Sequence, residues 1–479
     1  MRAVWFRNDL RLYAHSPLRH ALDQGGKVVA VYALCTEQWQ RHGVAPLRQW
    51  YVLNSLLEWG EALAANGIDC HVLNLSNFDQ VAKDLPLWLQ QQGVTQVYCN
   101  REYPVHEKRR DKQVAETLSA WGIAIKGFDD NELVPPRALK TGQGTPYTVY
   151  TPYKKQWDKR MDVDDINVRL TVPAWPGGHG EFHGKAEIEA ALATLNLPTS
   201  LTSPWQPGEQ AAQRQLAEFC SEHIASYKAE RDIPSIEGTS RLSAALSAGL
   251  LSPAQCYQQA RQALADPASR EGAACWIGEL AWRDFYRQIM AHFPTLSWGK
   301  AFRPETDYIE WQQDDELFDA WAQGRTGFPL VDAGMRQLVA TGWMHNRLRM
   351  LTAMFLSKHL LLDWRRGETF FMQHLIDGDF AANNGGWQWS ASTGTDAAPY
   401  FRVFSPIRQS ERFDPQGTFI RQWLPELADL NSKEIHTPWK YPSRCPEYPA
   451  PVVEHQGVRE RVTAAFKQAK SHFDAHNEQ

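Results

Sequence analysis

Hydrophobic positions follow different periods in different parts of the chain. Near the N-terminus, short apolar runs at residues 3–6, 28–34 and 94–100 are separated by longer stretches, and in residues 48–67 the apolar side chains recur at helical spacing. Short apolar runs are typical of buried parallel strands, which need a helix to connect one strand to the next. No G-x-G-x-x-G follows the first run, which argues against an ordinary dinucleotide site there. The first part of the chain is therefore predicted to be a doubly wound α/β domain.

The period changes twice beyond this domain. Residues 131–207 are rich in Pro, Gly and Thr and show little periodicity, which indicates a long linker that wraps over the surface. From residue 208 onward the apolar residues recur at helical spacing, with a stop signal at Gly249 and a start signal at Ser252 and Pro253. The sequence thus predicts an α/β domain at 1–130, a linker at 131–207 and an all-α domain at 208–479.

The composition is that of a folded protein from a reducing compartment. The chain has 479 residues, 43% of them hydrophobic, and no apolar run long enough to cross a bilayer. The N-terminal "MRAVWFRNDLRL" has arginines where a signal peptide needs an apolar core. The seven cysteines include no C-x-x-C pair, so they predict neither a disulfide framework nor a zinc cluster. We expect a soluble cytoplasmic monomer that binds no metal.

Three helical segments carry polar and aromatic side chains at positions where a core is expected. Thr239 and Ser240 begin a predicted helix, and hydroxyls beside free N–H groups suit a phosphate, but on this segment alone an ordinary N-cap is the favoured interpretation. The second segment places four such residues on one helix face: Glu279, Trp282, Arg283 and Tyr286. The third carries Asn346, Arg349 and Met350 on one stripe, with Arg347 turned toward another. These faces are more typical of a binding site than of a core, although a surface ion-pair stripe would also explain the Glu279 face.

The segment 377–402, "DGDFAANNGGWQWSASTGTDAAPYFR", is the most unusual part of the sequence. It combines carboxylates, two adjacent amides, a Gly-Gly pair and two tryptophans with few aliphatic residues. Together with "VWFRNDLRL", "EGTSRLS", "ELAWRDFYR" and "TGWMHNRLRM", it closely resembles the DNA photolyase and cryptochrome family, and most of all the bacterial class I photolyases for cyclobutane pyrimidine dimers. The resemblance extends over nearly the whole chain. It implies an antenna chromophore in the α/β domain and FAD in the helical domain.

The resemblance implies a set of residues that hold FAD. They are Tyr227, Thr239, Ser240, Ser243, Asn346, Arg349, Asp377, Asp379 and Asn383. The helix start at Thr239 would receive the diphosphate, and Arg349 could make a bidentate pair with Asp377 beside the flavin ring. Asn383 would face the reactive flavin nitrogen, and the Gly-Gly pair would let the backbone approach the cofactor closely.

The resemblance also implies catalytic and DNA-binding residues. An electron relay through Trp387, Trp364 and Trp311 would reduce the flavin under light, and Glu279 would stabilise the radical anion of a thymine dimer flipped out of the DNA. A bare core carboxylate is costly, so the presence of Glu279 itself argues for a ligand. The residues that would contact the dimer or the DNA are Arg231, Glu279, Trp282, Asn346, Arg347, Met350, Trp389 and Arg402. Trp282 and Trp389 would form an aromatic wall, and the arginines would form a rim that faces the DNA.

The resemblance is weaker at the antenna site. His42 and Glu107 match pterin contacts of folate-binding members, but His106 stands where those members have Asn, and Trp298 where they have Lys. We expect 5,10-methenyltetrahydrofolate as the antenna. A deazaflavin, or no antenna, stays open.

Three functions compete for this pattern. The first is a carbon–carbon lyase that splits cyclobutane pyrimidine dimers in ultraviolet-damaged DNA. The second is a cryptochrome-type blue-light photoreceptor without repair activity, for which loss of Glu279, Trp282 or Met350 is expected. The third is a flavin-free helical protein that binds nucleic acid, which would not need Asp377, Asp379 and Asn383 together. All of these residues are present, so the lyase is favoured.

The type of lesion is predicted from two positions. Six-four photolyases carry histidines at the positions that match Asn346 and Met350. Neither Asn nor Met can give and take back a proton near neutral pH, whereas splitting a cyclobutane ring needs only an electron that enters and returns. The sequence therefore predicts repair of cyclobutane dimers and no repair of six-four photoproducts.

Overall fold

The N-terminal part of the chain forms one parallel sheet. The structure is a computed structural model, and it describes residues 1–163, 170, 174–197 and 205–477. The strands are β1 (Arg2–Phe6), β2 (Val28–Leu34), β3 (Asp69–Asn74), β4 (Gln96–Asn100), β5 (Ala124–Phe128) and β6 (Phe182–His183). Their order across the sheet is β5-β4-β1-β2-β3-β6, and every pair is parallel. The predicted doubly wound α/β class is confirmed.

Alternating side chains on the strands bury both faces of the sheet. Ala3 and Trp5 of β1 face a core that is confined to the α/β part. Val4 and Phe6 point the other way, into a core that continues into the helical part and includes Phe285 and Ile376. The helices that cover the sheet are α1 (Ser16–Asp23), α2 (Thr36–Arg41), α3 (Pro46–Ala65), α4 (Phe78–Gln91) and α5 (Val105–Ala120). The shared core fixes the two parts of the protein against each other.

The strand order creates a crevice beside β1. The chain runs from β1 outward to β2 and β3, and then returns to place β4 on the other side of β1. At such a switch point, the loops after neighbouring strands diverge and leave a crevice at the carboxyl ends of the strands. A ligand site is expected there.

The segment that the sequence assigns to a linker contains regular structure. It includes α6 (Tyr150–Val163), the two-residue strand β6 and α7 (Lys185–Ala193). Strand β6 pairs with β3, and the ring of Phe182 packs so closely on Gly60 that a Cβ on this glycine would lie 2.4 Å from it. A strand of two residues is too short to produce a period, so only pairing with β3 defines it.

The rest of the chain is helical, as predicted. Its α-helices are α8 (Glu209–Glu218), α9 (Tyr227–Glu230), α10 (Ser243–Ala248), α11 (Pro253–Ala263), α12 (Arg270–His292), α13 (Asp315–Ala322), α14 (Pro329–Thr341), α15 (Asn346–Met354), α16 (Trp364–His374), α17 (Phe380–Ala391), α18 (Pro406–Phe413), α19 (Thr418–Trp423) and α20 (Val458–Asn477). The predicted stop is confirmed, because Gly249 ends α10 with φ of 71°. The predicted start is confirmed too, because the Ser252 side chain accepts a hydrogen bond from the Ala254 N–H at the beginning of α11. Across the described ranges, no helix is both long and apolar enough to cross a membrane.

Candidate functional site

Most of the predicted site residues line one cavity inside the helical part, which we call the helical cavity. Its volume is about 600 Å³, within the range of cofactor sites. The predicted residues in its wall are Tyr227, Arg231, Thr239, Ser240, Ser243, Glu279, Trp282, Asn346, Arg347, Arg349, Met350, Asp377, Asp379, Asn383, Trp387 and Trp389. The structure places Trp311, Trp364 and Arg402 outside this wall.

The helix predicted to start at Thr239 begins later. Arg241 has φ of 50°, in the left-handed region that a helix cannot contain, so α10 starts at Ser243. Thr239 and Ser240 therefore lie in the turn before the helix. The Ser240 hydroxyl accepts a hydrogen bond from Trp276 Nε1 at 3.2 Å, which holds this turn against α12. The turn still faces the cavity, but the hydroxyls are not at the helix end.

Asp377 offers an unused oxygen to a ligand. Arg349 Nη2 donates to Asp377 Oδ2 at 2.8 Å, and Arg349 Nε donates to the Met344 carbonyl at 2.8 Å. The predicted bidentate pair is therefore wrong, because the guanidinium is shared between two acceptors. Asp377 Oδ1 is buried and has no hydrogen-bond partner among the residues that the structure describes. A buried carboxylate oxygen needs a donor, and a hydroxyl or N–H of a flavin nucleotide would fit.

Asp379 is held by the protein on both of its oxygens. Oδ1 accepts from the Ala382 N–H at the start of α17, and Oδ2 accepts from Arg287 Nη2 at 2.7 Å. Burial alone would raise the pKa of Asp379, but the Arg287 and Arg283 cations outweigh it and hold this pKa well below its usual range. Asp379 therefore stays ionised and fixes the end of α17 in the cavity wall.

The orientation of the Asn383 side chain decides which of its amide atoms is available to a ligand. Its Nδ2 donates to the carbonyl of Glu368 at 3.0 Å, so the amide nitrogen is already engaged. The carbonyl oxygen remains for a ligand in the cavity. Asn383 would therefore accept a hydrogen bond from a flavin N–H, which suits a reduced or protonated ring nitrogen.

The two glycines of α17 have different roles. A Cβ on Gly385 would lie 2.1 Å from the ring of Tyr286, so this glycine allows α17 to pack closely on α12. A Cβ on Gly386 would meet nothing within 4 Å, and Gly386 lines the cavity. Only Gly386 faces the space predicted for a cofactor.

The residues predicted to meet the lesion form another part of the wall. Glu279 makes an ion pair with Arg231, and 36% of its side chain is exposed, so it is not the bare core carboxylate that the sequence suggested. Arg231 is correspondingly neutralised inside the wall. Arg347 pairs with Asp232 at 2.8 Å. Of the three predicted rim arginines, two thus already have an acidic partner.

Trp282 has a partner that the sequence analysis missed. The ring of Tyr150 stacks on it with centroids 3.5 Å apart and an interplanar angle of 6°. Tyr150 lies at the start of α6, 132 residues away in the chain, and no local pattern singled it out.

The three relay tryptophans share one core cluster. Trp387 and Trp364 are buried members of the cluster, and Trp311 packs against the cluster from a partly exposed position. Gly367, one turn after Trp364 on α16, lies so close to Trp387 that a Cβ there would be 2.1 Å from the indole. A bridge between Gln312 and Leu362 brings Trp311 beside the start of α16. The side chains therefore lead from the cavity wall toward the surface.

Arg402 is exposed and makes no ion pair with any residue in the described part of the chain. Its backbone carbonyl accepts a hydrogen bond from Lys358 Nζ at 2.9 Å. Lys358 is only 1% exposed, and burial lowers its pKa to about 7. The sequence analysis missed this lysine because its acceptor lies 44 positions further along the chain, where local spacing cannot reveal it.

A second cavity, the cleft cavity, occupies the crevice predicted from the strand order. It has a volume of about 320 Å³ and is lined by residues that follow β1, β2 and β4 together with residues of the helical part. His42 and Glu107 both line it, with His42 Nδ1 3.9 Å from Glu107 Oε1. Trp298 is 62% exposed near its rim, one residue after the lining residue Ser297.

Two ionisable groups of the cleft cavity, Glu107 and His42, are shifted toward their neutral forms. Burial and the neighbouring Glu102 carboxylate raise the pKa of Glu107 to about 7, and Oε2 of Glu107 is buried without a hydrogen-bond partner across the described ranges. Burial and the neighbouring His106 lower the pKa of His42 to about 4. Arg7 contributes two further buried nitrogens, Nε and Nη1, that have no hydrogen-bond acceptor among the described residues. These groups fit a flat heterocycle that bears both N–H and carbonyl groups.

Comparisons with known proteins agree with this architecture. Residues 2–174 match the family model described as DNA photolyase, and residues 276–468 match the FAD binding domain of DNA photolyase. A deoxyribodipyrimidine photo-lyase from Escherichia coli is 43% identical, and the match covers 98% of each chain. An archaeal photolyase from Sulfolobus tokodaii with two FAD molecules superposes with a TM-score of 0.81 at 29% identity, covering 98% of this chain and all of that one. A cryptochrome from Synechocystis sp. PCC6803 superposes with a TM-score of 0.83 at 28% identity, covering 97% and 99%.

Proposed function

This chain belongs to the DNA photolyase family, and we propose that it splits cyclobutane pyrimidine dimers in ultraviolet-damaged DNA, using light and bound FAD. One observation carries the proposal. The polar residues expected to hold a flavin and the aromatic residues expected to meet a lesion line a single cavity. A donor and an acceptor held in one cavity can exchange an electron directly.

The polar part of the wall would hold FAD, which supplies the photoexcited electron when bound. Asp377 Oδ1 accepts a donor of the cofactor, while Arg349 fixes the carboxylate from behind. Asn383 presents its carbonyl oxygen to a flavin N–H. Thr239, Ser240 and Ser243 offer hydroxyls to the phosphates, and Tyr227 and Asn346 close the wall.

Three tryptophans would deliver electrons from the surface to the cavity wall. Trp387 is at the cavity, Trp364 lies behind it within the core and Trp311 is partly exposed. This order from the inside to the surface fits a relay that draws its final electron from solvent.

The aromatic part of the wall would receive the flipped-out dimer. Trp282 and Trp389 offer ring faces for stacking, and Met350 offers a polarisable contact. Glu279 orients the bases by hydrogen bonding, and Arg231 holds its carboxylate in place. Asn346 and Met350 cannot transfer protons near neutral pH, so the site suits cyclobutane dimers and not six-four photoproducts. The exposed Arg402 contacts the phosphate backbone outside the cavity.

The fold alone does not separate repair from signalling, because a cryptochrome also superposes on this chain. Glu279, Trp282 and Met350, which the cryptochrome alternative expects to be lost, all line the cavity. Their presence favours repair.

The experiment illuminates the chemically reduced protein with oligonucleotides that carry one cyclobutane dimer or one six-four photoproduct. Chromatography of the products should show restored thymines from the cyclobutane substrate alone. In Glu279→Ala, the flavin content should stay near that of the wild type while the yield of restored thymines falls. Light-driven flavin reduction without any repair of the cyclobutane substrate would support the cryptochrome alternative instead.

The cleft cavity would hold an antenna chromophore. Glu107 accepts an N–H of a heterocycle, and His42, neutral above pH 5, flanks it. Methenyltetrahydrofolate fits these groups. A flavin-like ring is the second candidate, because the photolyase from Sulfolobus tokodaii contains two FAD molecules. Reconstitution with each chromophore, followed by absorption spectroscopy after gel filtration, would distinguish them.

The protein would act as a cytoplasmic monomer. All seven cysteines are free, which suits a reducing compartment. Sedimentation at micromolar concentration, with and without DNA, would test the oligomeric state.

A further inference from the structure

Trp282 is enclosed between the helical cavity and a second aromatic ring. It lines the cavity, whereas Tyr150 lies outside the cavity wall. Because the two rings are 3.5 Å apart and nearly parallel, Tyr150 covers one face of Trp282. Trp282 cannot tilt without losing this stack, so its remaining face is presented in one orientation.

Tyr150 is itself anchored at both ends. Its hydroxyl donates to the carbonyl of Gly278 at 2.9 Å, one turn before Trp282 on α12. Its backbone N–H donates to Asp396 Oδ2 at 3.1 Å. Phe285 meets the Tyr150 ring edge-on, with centroids 5.7 Å apart. The ring therefore behaves as a fixed support.

Asp396 belongs to the loop of residues 392–405, which also carries Arg402. This loop has a second bond to the same segment, from Thr395 Oγ1 to the carbonyl of Thr148. Asp396 has φ of 46°, which is uncommon for a side-chain-bearing residue, and its carboxylate bond to Tyr150 helps to hold that conformation. Tyr150, which supports the Trp282 ring, is thus connected by hydrogen bonds to the loop that carries Arg402.

We propose that Tyr150 is a positioning residue for lesion recognition, which holds the Trp282 ring ready to stack on a pyrimidine dimer and links that ring to the Arg402 loop. The inference rests on the proposed function, because it takes Trp282 to be a dimer contact. It predicts an effect on the binding of damaged DNA that is separate from flavin binding and from general stability.

The test compares three variants at the support. Tyr150→Leu removes the stack, Tyr150→Phe keeps the ring but loses the bond to Gly278, and Asp396→Ala removes the anchor on the loop. For each, the dissociation constants for a dimer-containing and an undamaged oligonucleotide are measured, together with kcat and KM of repair and the flavin content.

Tyr150→Leu should weaken dimer binding and raise KM about tenfold, the loss expected when one aromatic stack is removed, with kcat at saturation and binding of undamaged DNA within twofold of wild type. Tyr150→Phe should stay within about threefold of wild type, because the ring stack remains. Asp396→Ala should weaken dimer binding to an intermediate degree. Flavin content should be that of the wild type in all three.

A matched control is Tyr257→Leu, because the Tyr257 ring contacts another tryptophan, Trp157, away from the cavity. It should lower the melting temperature without changing the preference for dimers.

Three outcomes would overturn the inference. Tyr150→Leu could bind the dimer as tightly as the wild type, or its affinity for damaged and undamaged DNA could fall equally. Tyr150→Phe could also lose as much affinity for the dimer as Tyr150→Leu. If Tyr150→Leu does not fold, Asp396→Ala decides in its place, and an unchanged preference for dimers in that variant overturns the inference. Wild-type protein without any preference for dimers would instead refute the proposed function.

Discussion

The helical cavity and the cleft cavity differ in how they treat charge. In the helical cavity, several acidic and basic side chains are paired, as are Arg231 with Glu279 and Arg349 with Asp377. In the cleft cavity, burial without a sufficient counter-charge shifts Glu107 and His42 toward their neutral forms. A site whose charges are paired keeps its charge state over a wide pH range, whereas the charge of Glu107 in the cleft cavity changes near neutral pH. The comparison indicates that the charges of the helical cavity depend less on pH than those of Glu107 and its surroundings in the cleft cavity.

The two cavities also share part of their walls. Asp379 and Ser247 line both of them, and Arg48 of α3 reaches across to the Ser247 hydroxyl at 2.5 Å. At these positions the same side chains form the wall of both cavities.

The largest expected effect concerns the proposed tryptophan relay, which starts at Trp387 in the wall of the helical cavity. Trp387→Phe keeps an aromatic ring in the core but removes the first electron donor, so light-driven reduction of oxidised flavin should fall below detection. Repair by chemically reduced protein should continue. The measurement is the flavin absorbance during blue illumination.

The matched control for this change is Trp321→Phe. The Trp321 ring is buried in the same cluster with its centroid 6.0 Å from that of Trp387, so this change tests altered packing. It should leave photoreduction in place. Photoreduction of Trp387→Phe at the wild-type rate would show that the relay has been assigned to the wrong residues.

The next effect concerns the matched charges. Asp379→Asn keeps a side chain that can cap α17 but leaves Arg287 with one fewer anion, so the free energy of unfolding should fall by about 2 kcal/mol. Urea denaturation with flavin bound measures it. Asp315→Asn is the control, because Asp315 pairs with Arg366 but is 90% exposed, and its loss should cost less than about 0.5 kcal/mol. Equal losses of unfolding free energy in Asp379→Asn and Asp315→Asn would mean that Asp379 does not stabilise the protein through a buried charge.

The third effect would show the pH sensitivity of the cleft. The raised pKa means that protonated Glu107 stabilises the free protein at low pH, and this stabilisation is lost as pH rises through about 7. A ligand that donates an N–H prefers the carboxylate, so affinity for folic acid should rise about tenfold between pH 6 and pH 8. Titration calorimetry measures the affinity. In Glu107→Gln the profile should be flat, and an unchanged slope in that variant would exclude Glu107 as the titrating group.

The smallest effect concerns the rim of the helical cavity. Arg402→Ala should reduce the slope of log affinity for irradiated DNA against log salt by about one unit, because an exposed, unpaired guanidinium displaces counterions from one phosphate. Arg231→Ala should leave this slope almost unchanged, because Glu279 already neutralises Arg231. Equal changes of the salt slope in the two variants would show that Arg402 and Arg231 do not differ in their contact with phosphates.

Much of the fold and of the helical cavity could be predicted from the sequence. The alternation of apolar runs with helical periods defines the α/β class, because side-chain direction in strands and helices follows directly from local spacing. The segment 377–402 concentrates its carboxylates, amides and tryptophans within a few turns, so its chemistry is visible without a structure. Gly249, Ser252 and Pro253 mark helix ends for the same local reason.

Only the tertiary structure decided which partners these residues have. The stack of Tyr150 on Trp282, the ion pair of Arg231 with Glu279 and the bond from Lys358 to the Arg402 carbonyl join residues that are 132, 48 and 44 positions apart in the chain. Spacing within a helix or strand carries no information about such contacts, because they depend on how whole elements pack. The same holds for β6, whose two residues become a strand only by pairing with β3. The sequence by itself determined the kinds of groups that this protein brings to its cavities, and packing determined which of those groups remain free for a ligand.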